Sequence, residues 1–276
     1  MNSYAFKQLD VFSNAALKGN PLAVVLGADA LTDAQMAAFA NWTNLSETTF
    51  VLKPTTPEAD YRVRIFTTRQ ELPFAGHPTL GTCHAWLEAG GQAKGEYIVQ
   101  ECGVGLVRIR RDQARLAFAA PPLVRTGEPA PELVERIRAG LGLPPEAVVA
   151  AQWVDNGPGW VALLLDDRAR VLAIRPDDSR LAGLKVGVVA PWKDGEADFE
   201  VRAFIAGEGM AEDPVTGSLN ASLAQWLIGS GRAPARYVAS QGTALGRAGR
   251  VSIERIGDDI WVGGHALTCI DGRVTL

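Results

Sequence analysis

The sequence predicts an α+β protein of two pseudo-symmetric lobes, each a strongly bent, barrel-like β-sheet around a central helix. Three observations predict it. Short segments rich in β-branched and aromatic residues dominate the chain. The second half repeats landmarks of the first in the same order. Each half also carries one helix-like run without a charged residue, the pattern of a helix buried on every face.

The strand candidates are "YAFKQLDVF" (4–12), "LAVVL" (22–26), "TTFVL" (48–52), "YRVRIF" (61–66) and "YIVQE" (97–101), each bounded by turn residues. "LTDAQMAAFANWTN" (31–44) reads as an amphipathic surface helix, with Thr32 as N-cap and Gln35 completing a capping box. "LVRIRRDQARLAF" (106–118) reads as a hairpin turning at Asp112-Gln113. After Pro121-Pro122 comes a Pro/Glu/Ala-rich stretch with one amphipathic helix, "PELVERIRAGLG", stopped by glycine and then Pro144-Pro145. This stretch is the candidate boundary: a first lobe over 1–120, with the terminal strand 266–276 as a candidate addition to it, and a second lobe over 121–265.

The repeat rests on paired landmarks. "NPLAVVLG" matches "GPGWVALLL", "VRIF" (63–66) matches "VRAF" (201–204), and "HPTLG" (77–81) matches "DPVTG" (213–217). "YIVQ" with "GLVRIRRDQARLAF" matches "YVASQ" with "GRVSIERIGDDIWV". Two copies are too few for a solenoid, so the expected arrangement is two lobes with the active site in the cleft between them. The uncharged runs "PTLGTCHAWL" and "PVTGSLNASLAQWL" are the expected central helices, with Gly81, Ala85, Gly217, Ala221 and Ala224 small enough for strands to approach.

Composition removes several function classes. At 276 residues with 47 % apolar, 21 % charged and a net charge of −4, the chain is an ordinary globular protein. It has no basic stripe to neutralise phosphates, so no nucleic-acid partner is expected. No apolar run approaches the roughly 20 residues that cross a bilayer, and the N-terminal segment has no leader pattern. No membrane partner and a cytoplasmic location are therefore expected. Cys83, Cys102 and Cys269 lack ligand or disulfide spacing, and His77, His84 and His265 form no short pair, so no metal is expected.

Chemistry is expected where proline follows a titratable residue ahead of an uncharged helix: His77-Pro78 and Asp213-Pro214. Helix starts present free N–H groups and the positive end of the helix dipole, which suits a small carboxylate. Thr216, Gly217 and Ser218 add donors there. Taken singly, Asp213 reads as an N-cap and His77 as a hydrogen-bonded structural histidine. Matched positions in a repeat favour function, because a cap has no need to vary between two titratable chemistries. Glu47, entering the apolar strand "TTFVL", has its ionised form disfavoured, which suits proton transfer near neutral pH. On position alone it would read as a surface glutamate.

"GNPLAVV" (19–25), "NLSET" (44–48), "RIFT" with "ELPFAGHPTLG" (64–81) and "EDPVTGS" (212–218) resemble the signatures of the PhzF family, the phenazine-biosynthesis-like isomerases. The resemblance covers essentially the whole chain and implies a diaminopimelate epimerase-like fold. It implies that Glu47 is the catalytic glutamate moving a proton between two carbons, that His77 and Asp213 are its polar partners, and that Gly76, Gly217 and Ser218 hold the substrate. Asn20 matches the Gly-Asn of the wider epimerase fold. The resemblance also implies no cofactor and a homodimer. The epimerase relatives place cysteines at both helix starts. Here Cys83 lies further along the first helix and reads as core.

Three functions follow as expectations. The first is a cofactor-independent isomerase of a small carboxylated substrate, trans-2,3-dihydro-3-hydroxyanthranilate or an analogue. The second is an amino-acid epimerase or racemase. The third is a catalytically silent small-ligand binding or interaction module, against which the intact set Glu47, His77, Asp213 and Ser218 argues.

Overall fold

Strands form where β-branched and aromatic residues cluster, and the two uncharged runs form the helices they enclose. The computed structural model describes residues 2–112, 114–206 and 211–276. The fold is α+β and divides into two compact units, Met1–Ala119 with Gly263–Leu276, and Ala120–Val262.

The first unit contains β1 (Ser3–Val11), β2 (Asn20–Leu26), α1 (Asp33–Thr43), β3 (Glu47–Leu52), β4 (Tyr61–Phe66), β5 (Glu71–Leu72), α2 (Gly76–Glu88), β6 (Ile98–Cys102), β7 (Gly105–Asp112) and β8 (Arg115–Ala119). The second contains α3 (Pro131–Gly140), β9 (Val148–Trp153), β10 (Trp160–Leu165), α4 (Arg168–Ala173), α5 (Asp178–Leu181), β11 (Lys185–Pro191), β12 (Phe199–Phe204), β13 (Glu212–Asp213), α6 (Gly217–Gly229), β14 (Arg236–Gln241), β15 (Gly249–Ile256) and β16 (Asp259–Gly264). The last strand, β17 (Ala266–Thr275), returns to the first unit and pairs with β1.

Each unit repeats one pattern of pairing. In the first, β2 runs parallel to β3, β3 antiparallel to β4, and β4 parallel to β6. In the second, β10 runs parallel to β11, β11 antiparallel to β12, and β12 parallel to β14. Side-chain detail repeats as well. Asp60 accepts from Val99 N at 2.8 Å, and Asp198 accepts from Val238 N at 2.8 Å. Arg64 grips Glu71 through Nε and Nη2 at 2.8 and 2.6 Å, and Arg202 grips Glu212 through the same atoms at 2.9 and 2.6 Å. Each guanidinium also lies over a phenylalanine two residues along its strand, Phe66 and Phe204.

The expected surface helix forms as α1, with Thr32 capping Gln35 N and the Gln35 side chain returning the bond. The expected amphipathic helix forms as α3. β7 and β8 make the expected hairpin, although Gln113 of its turn lies outside the described residues. α2 and α6 are the buried helices: His77 through Cys83 are buried without interruption, as are Leu219 through Ala224. A methyl group on Gly81 would stand 2.6 Å from Leu22 Cδ2 and 2.8 Å from Val11 Cγ2, so glycine there lets β1 and β2 close on α2. The opposite sheet face of the second unit carries its own core, in which Val161, Leu163, Val186, Val188 and Phe204 meet Ile137, Val171 and Leu181. No helix among the described residues is long and apolar enough to cross a membrane.

Candidate active site

The first unit gathers Asn20, Glu47, Gly76 and His77. Asn20 opens β2, Glu47 opens β3, and Gly76 and His77 open α2. The chain reaches Asn20 through Gly19, where any Cβ would overlap the Val11 carbonyl. The buried Asp10 carboxylate fixes that approach by accepting from Lys18 N at 2.6 Å and Gly19 N at 2.9 Å.

His77 Nε2 stands 3.4 Å from Glu47 Oε2, with the two side chains 5 % and 16 % exposed. On its other side, His77 Nδ1 stands 3.3 Å from Asn20 Nδ2. Burial pushes the His77 pKa down to about 3, only partly opposed by a backbone hydrogen bond at Pro21. The imidazole is therefore neutral at pH 7. A nearly dry carboxylate beside a neutral hydrogen-bonding ring is an arrangement suited to proton transfer.

The second unit gathers Asp213, Thr216, Gly217 and Ser218, but not as the sequence suggests. Asp213 does not begin a helix. It ends β13, and Pro214, Val215 and Thr216 intervene before α6 starts at Gly217. In α2 likewise, His77 is the second helical residue rather than a cap, and Ala75 is the N-cap. The units align as Glu71-Leu72-Pro73-Phe74-Ala75-Gly76-His77 with Glu212-Asp213-Pro214-Val215-Thr216-Gly217-Ser218. The structural counterpart of His77 is therefore Ser218, and that of Asp213 is Leu72. The repeated proline is Pro73 with Pro214, not Pro78 with Pro214.

Asp213 is held by a network the sequence reading missed. Thr216 Oγ1 donates to Asp213 Oδ2 at 2.6 Å and accepts from Gln241 Nε2 at 2.9 Å. Gln241 Nε2 also donates to the Asp213 carbonyl at 3.1 Å. Its Oε1 accepts from Thr216 N at 3.0 Å and Asn220 Nδ2 at 2.8 Å. The Thr216 hydroxyl is thus spent on Asp213 and does not cap α6. Neither α2 nor α6 has a side-chain cap, so their first N–H groups remain to be met by something other than the helix itself.

Ser218 is set from the start of β10. Trp160 Nε1 donates to Ser218 Oγ at 3.0 Å, and Asn156 Nδ2 donates to the Ser218 carbonyl at 3.0 Å. Neither Asn156 nor Trp160 was legible as a site residue, because Trp160 reads simply as strand core. Cys83 is buried within α2, and burial pushes its thiol up to about 12, so it is a protonated core group at neutral pH. Among the described residues no three His, Cys, Asp or Glu side chains gather as metal ligands would.

A family model described as "Phenazine biosynthesis-like protein" matches residues 9–272. The chain belongs to this family. It is 31 % identical to the trans-2,3-dihydro-3-hydroxyanthranilate isomerase of Pseudomonas aeruginosa over 97 % of this chain and 98 % of that one. It is 37 % identical to antisense-enhancing sequence 1 of Schizosaccharomyces pombe over 99 % of both chains. A crystal structure of a PhzF-family phenazine biosynthesis protein from Enterococcus faecalis superposes with a TM-score of 0.82 at 27 % identity, covering all of both chains. A hydroxyproline epimerase from Agrobacterium vitis shares the fold, with a TM-score of 0.61 at 13 % identity. Relatives from Pseudomonas aeruginosa, Mesorhizobium japonicum and Pasteurella multocida are named isomerases, and this PhzF-family chain is an isomerase.

Proposed function

We propose that this isomerase shifts a proton between carbons of a small carboxylated, unsaturated ring substrate without a cofactor, with trans-2,3-dihydro-3-hydroxyanthranilate or a close analogue as the substrate. The observation that supports it most is the buried contact of 3.4 Å between Glu47 Oε2 and a neutral His77. Glu47 removes the proton from one carbon and returns it to another. His77, held at Nδ1 beside Asn20, presents Nε2 to Glu47 and to the reacting group. A cationic imidazole would lower the basicity of Glu47, so the neutral ring leaves the carboxylate able to act.

In this reading the second unit contributes substrate-holding groups of its own. Gly217 and Ser218 offer N–H and hydroxyl donors, Gly76 does so in the first unit, and Asp213, steered by Thr216, accepts from a substrate donor. The substrate class draws on the relatives named for that isomerisation. We also read the matched pairings, the two Arg–Glu forks and the two Asp-capped strand starts as products of an internal duplication.

The test is incubation in deuterated water with trans-2,3-dihydro-3-hydroxyanthranilate and a panel of small carboxylated amino acids, following carbon-bound protons by NMR. Wild-type protein should place deuterium in one compound. Glu47→Gln should lower that rate by about 10²–10⁴-fold with binding nearly unchanged. Near-wild-type exchange in Glu47→Gln rules out the shuttle. Inversion at a single stereocentre without double-bond migration would instead make the protein an epimerase.

A further inference from the structure

The alignment of the units carries one residue that the proposed site does not include. Glu47 opens β3 in register with Leu22 of β2, and Leu22 packs against Gly81 of α2. In the second unit the parallel pair β10 and β11 places Trp160 in register with Lys185. Lys185 therefore occupies in the second unit the strand-opening place that Glu47 occupies in the first.

Strand alternation fixes which way Lys185 points. Val186, Val188 and Ala190 face the core formed with α3, α4 and α5. Lys185, Gly187 and Val189 face the other way. That other side is the α6 side, because a Cβ on Gly187 would meet Leu219 Cδ1 at 2.5 Å. The end of α6 is fixed too: Trp160, the register partner of Lys185, donates to Ser218 Oγ in the first turn. Lys185 is half-buried there. Asp213 shares this face, since it pairs with Ala203, which in turn pairs with Gly187. Two strand spacings and two residues of rise put the Lys185 and Asp213 Cα atoms on the order of 12 Å apart. Both residues thus lie on the α6 face of the sheet, with the Asp213 carboxylate held by Thr216.

We propose that Lys185 binds the substrate carboxylate and is a specificity residue of this isomerase. The proposal rests on the carboxylated-ring reading above. It assigns opposite charges to the matched strand openings of the two units, Glu47 in the first and Lys185 in the second. A lysine suits this role because its four-carbon stem can pack against the start of the strand while its head group reaches a carboxylate.

The test uses two stable aromatic probes, 3-hydroxyanthranilate and its uncharged carboxamide, titrated calorimetrically into wild type, Lys185→Met and Lys185→Arg. Wild type should prefer the acid to the amide by about tenfold, and added salt should narrow that preference. Lys185→Met should lose about tenfold in affinity for the acid and less than about twofold for the amide, and Lys185→Arg should recover most of the loss. A Lys185→Met protein that keeps acid affinity within twofold overturns the proposal. So does one that weakens both probes equally, which marks a structural lysine, or a wild type without preference for the acid. If wild type binds neither probe, the substrate class is wrong and the Lys185 assignment falls with it. Binding with no Glu47-dependent exchange would fault the shuttle alone.

Discussion

The two Arg–Glu forks offer a controlled comparison of the same geometry at different burial. In the first unit Arg64 and Glu71 are 18 % and 41 % exposed, and in the second Arg202 and Glu212 are 5 % and 6 % exposed. Replacing Glu212 by Gln keeps the shape and removes the charge. It leaves a buried guanidinium with only the Val171 and Ile174 carbonyls, at 3.1 and 2.9 Å, as full partners. Breaking one side of a buried pair typically destabilises by about 3–5 kcal/mol. Glu71→Gln removes a solvent-screened partner from an arginine that Asp33 also holds, and should destabilise by less than about 1 kcal/mol. For the second unit the difference corresponds to a melting shift of about 10 °C against about 2 °C. Intrinsic fluorescence reads it well, because Trp153, Trp160, Trp192, Trp226 and Trp261 lie in the second unit and only Trp42 and Trp86 in the first. Glu212 also anchors the strand that ends in Asp213, a proposed substrate-binding group, so Glu212→Gln should raise KM. Equal melting shifts in the two variants would refute the burial argument.

His77 has a folded pKa of about 3 against 6.5 unperturbed, so the unfolded chain binds the extra proton between those values. Its contribution to stability is complete above pH 6.5 and is lost as pH falls toward 3, by up to roughly 1.4 kcal/mol per pH unit. Denaturant titrations at pH 7, 5.5 and 4.5 should show wild type losing stability faster than His77→Gln, and parallel pH profiles would contradict the burial of a neutral ring. Cys83, protonated and enclosed, should resist iodoacetamide at pH 8 in the native state, and Cys83→Ala should retain turnover within a few fold. Loss of turnover in a Cys83→Ala protein that melts normally would point to thiol chemistry instead.

What was legible in the sequence follows from how local its causes are. The capping box at Thr32 and Gln35, the hairpin of β7 and β8, and the charge-free runs of α2 and α6 depend on residues close in the chain. Gln241 could not be read that way. It lies more than twenty residues beyond Thr216 and Asn220, and its role arises only when β14 packs beside the start of α6. Asn156, in the turn before β10, and Trp160, at its start, reach Ser218 from about sixty residues earlier in the chain. Glu47 and His77 could be singled out from motifs, but their contact comes from the placement of β3 against α2.

The repeated motif shows why pattern alone misassigned a partner. "HPTLG" and "DPVTG" share a proline and a glycine, and matching them sets His77 against Asp213. Strand pairing sets a different register. Ile65 faces Leu72 as Ala203 faces Asp213, and Phe66 faces Glu71 as Phe204 faces Glu212. The Arg–Glu forks close on the same glutamates, which leaves no freedom to slide the loop that follows. Each unit then spends three residues, led by a proline, before its helix begins with glycine. The second helical residue is His77 in one unit and Ser218 in the other, and the matched strand opening is Glu47 in one and Lys185 in the other. In the proposed reading the first pair moves a proton and the second holds an anion. A scaffold repeated in backbone need not repeat its chemistry, because the register fixes where a side chain stands and leaves open which one it is.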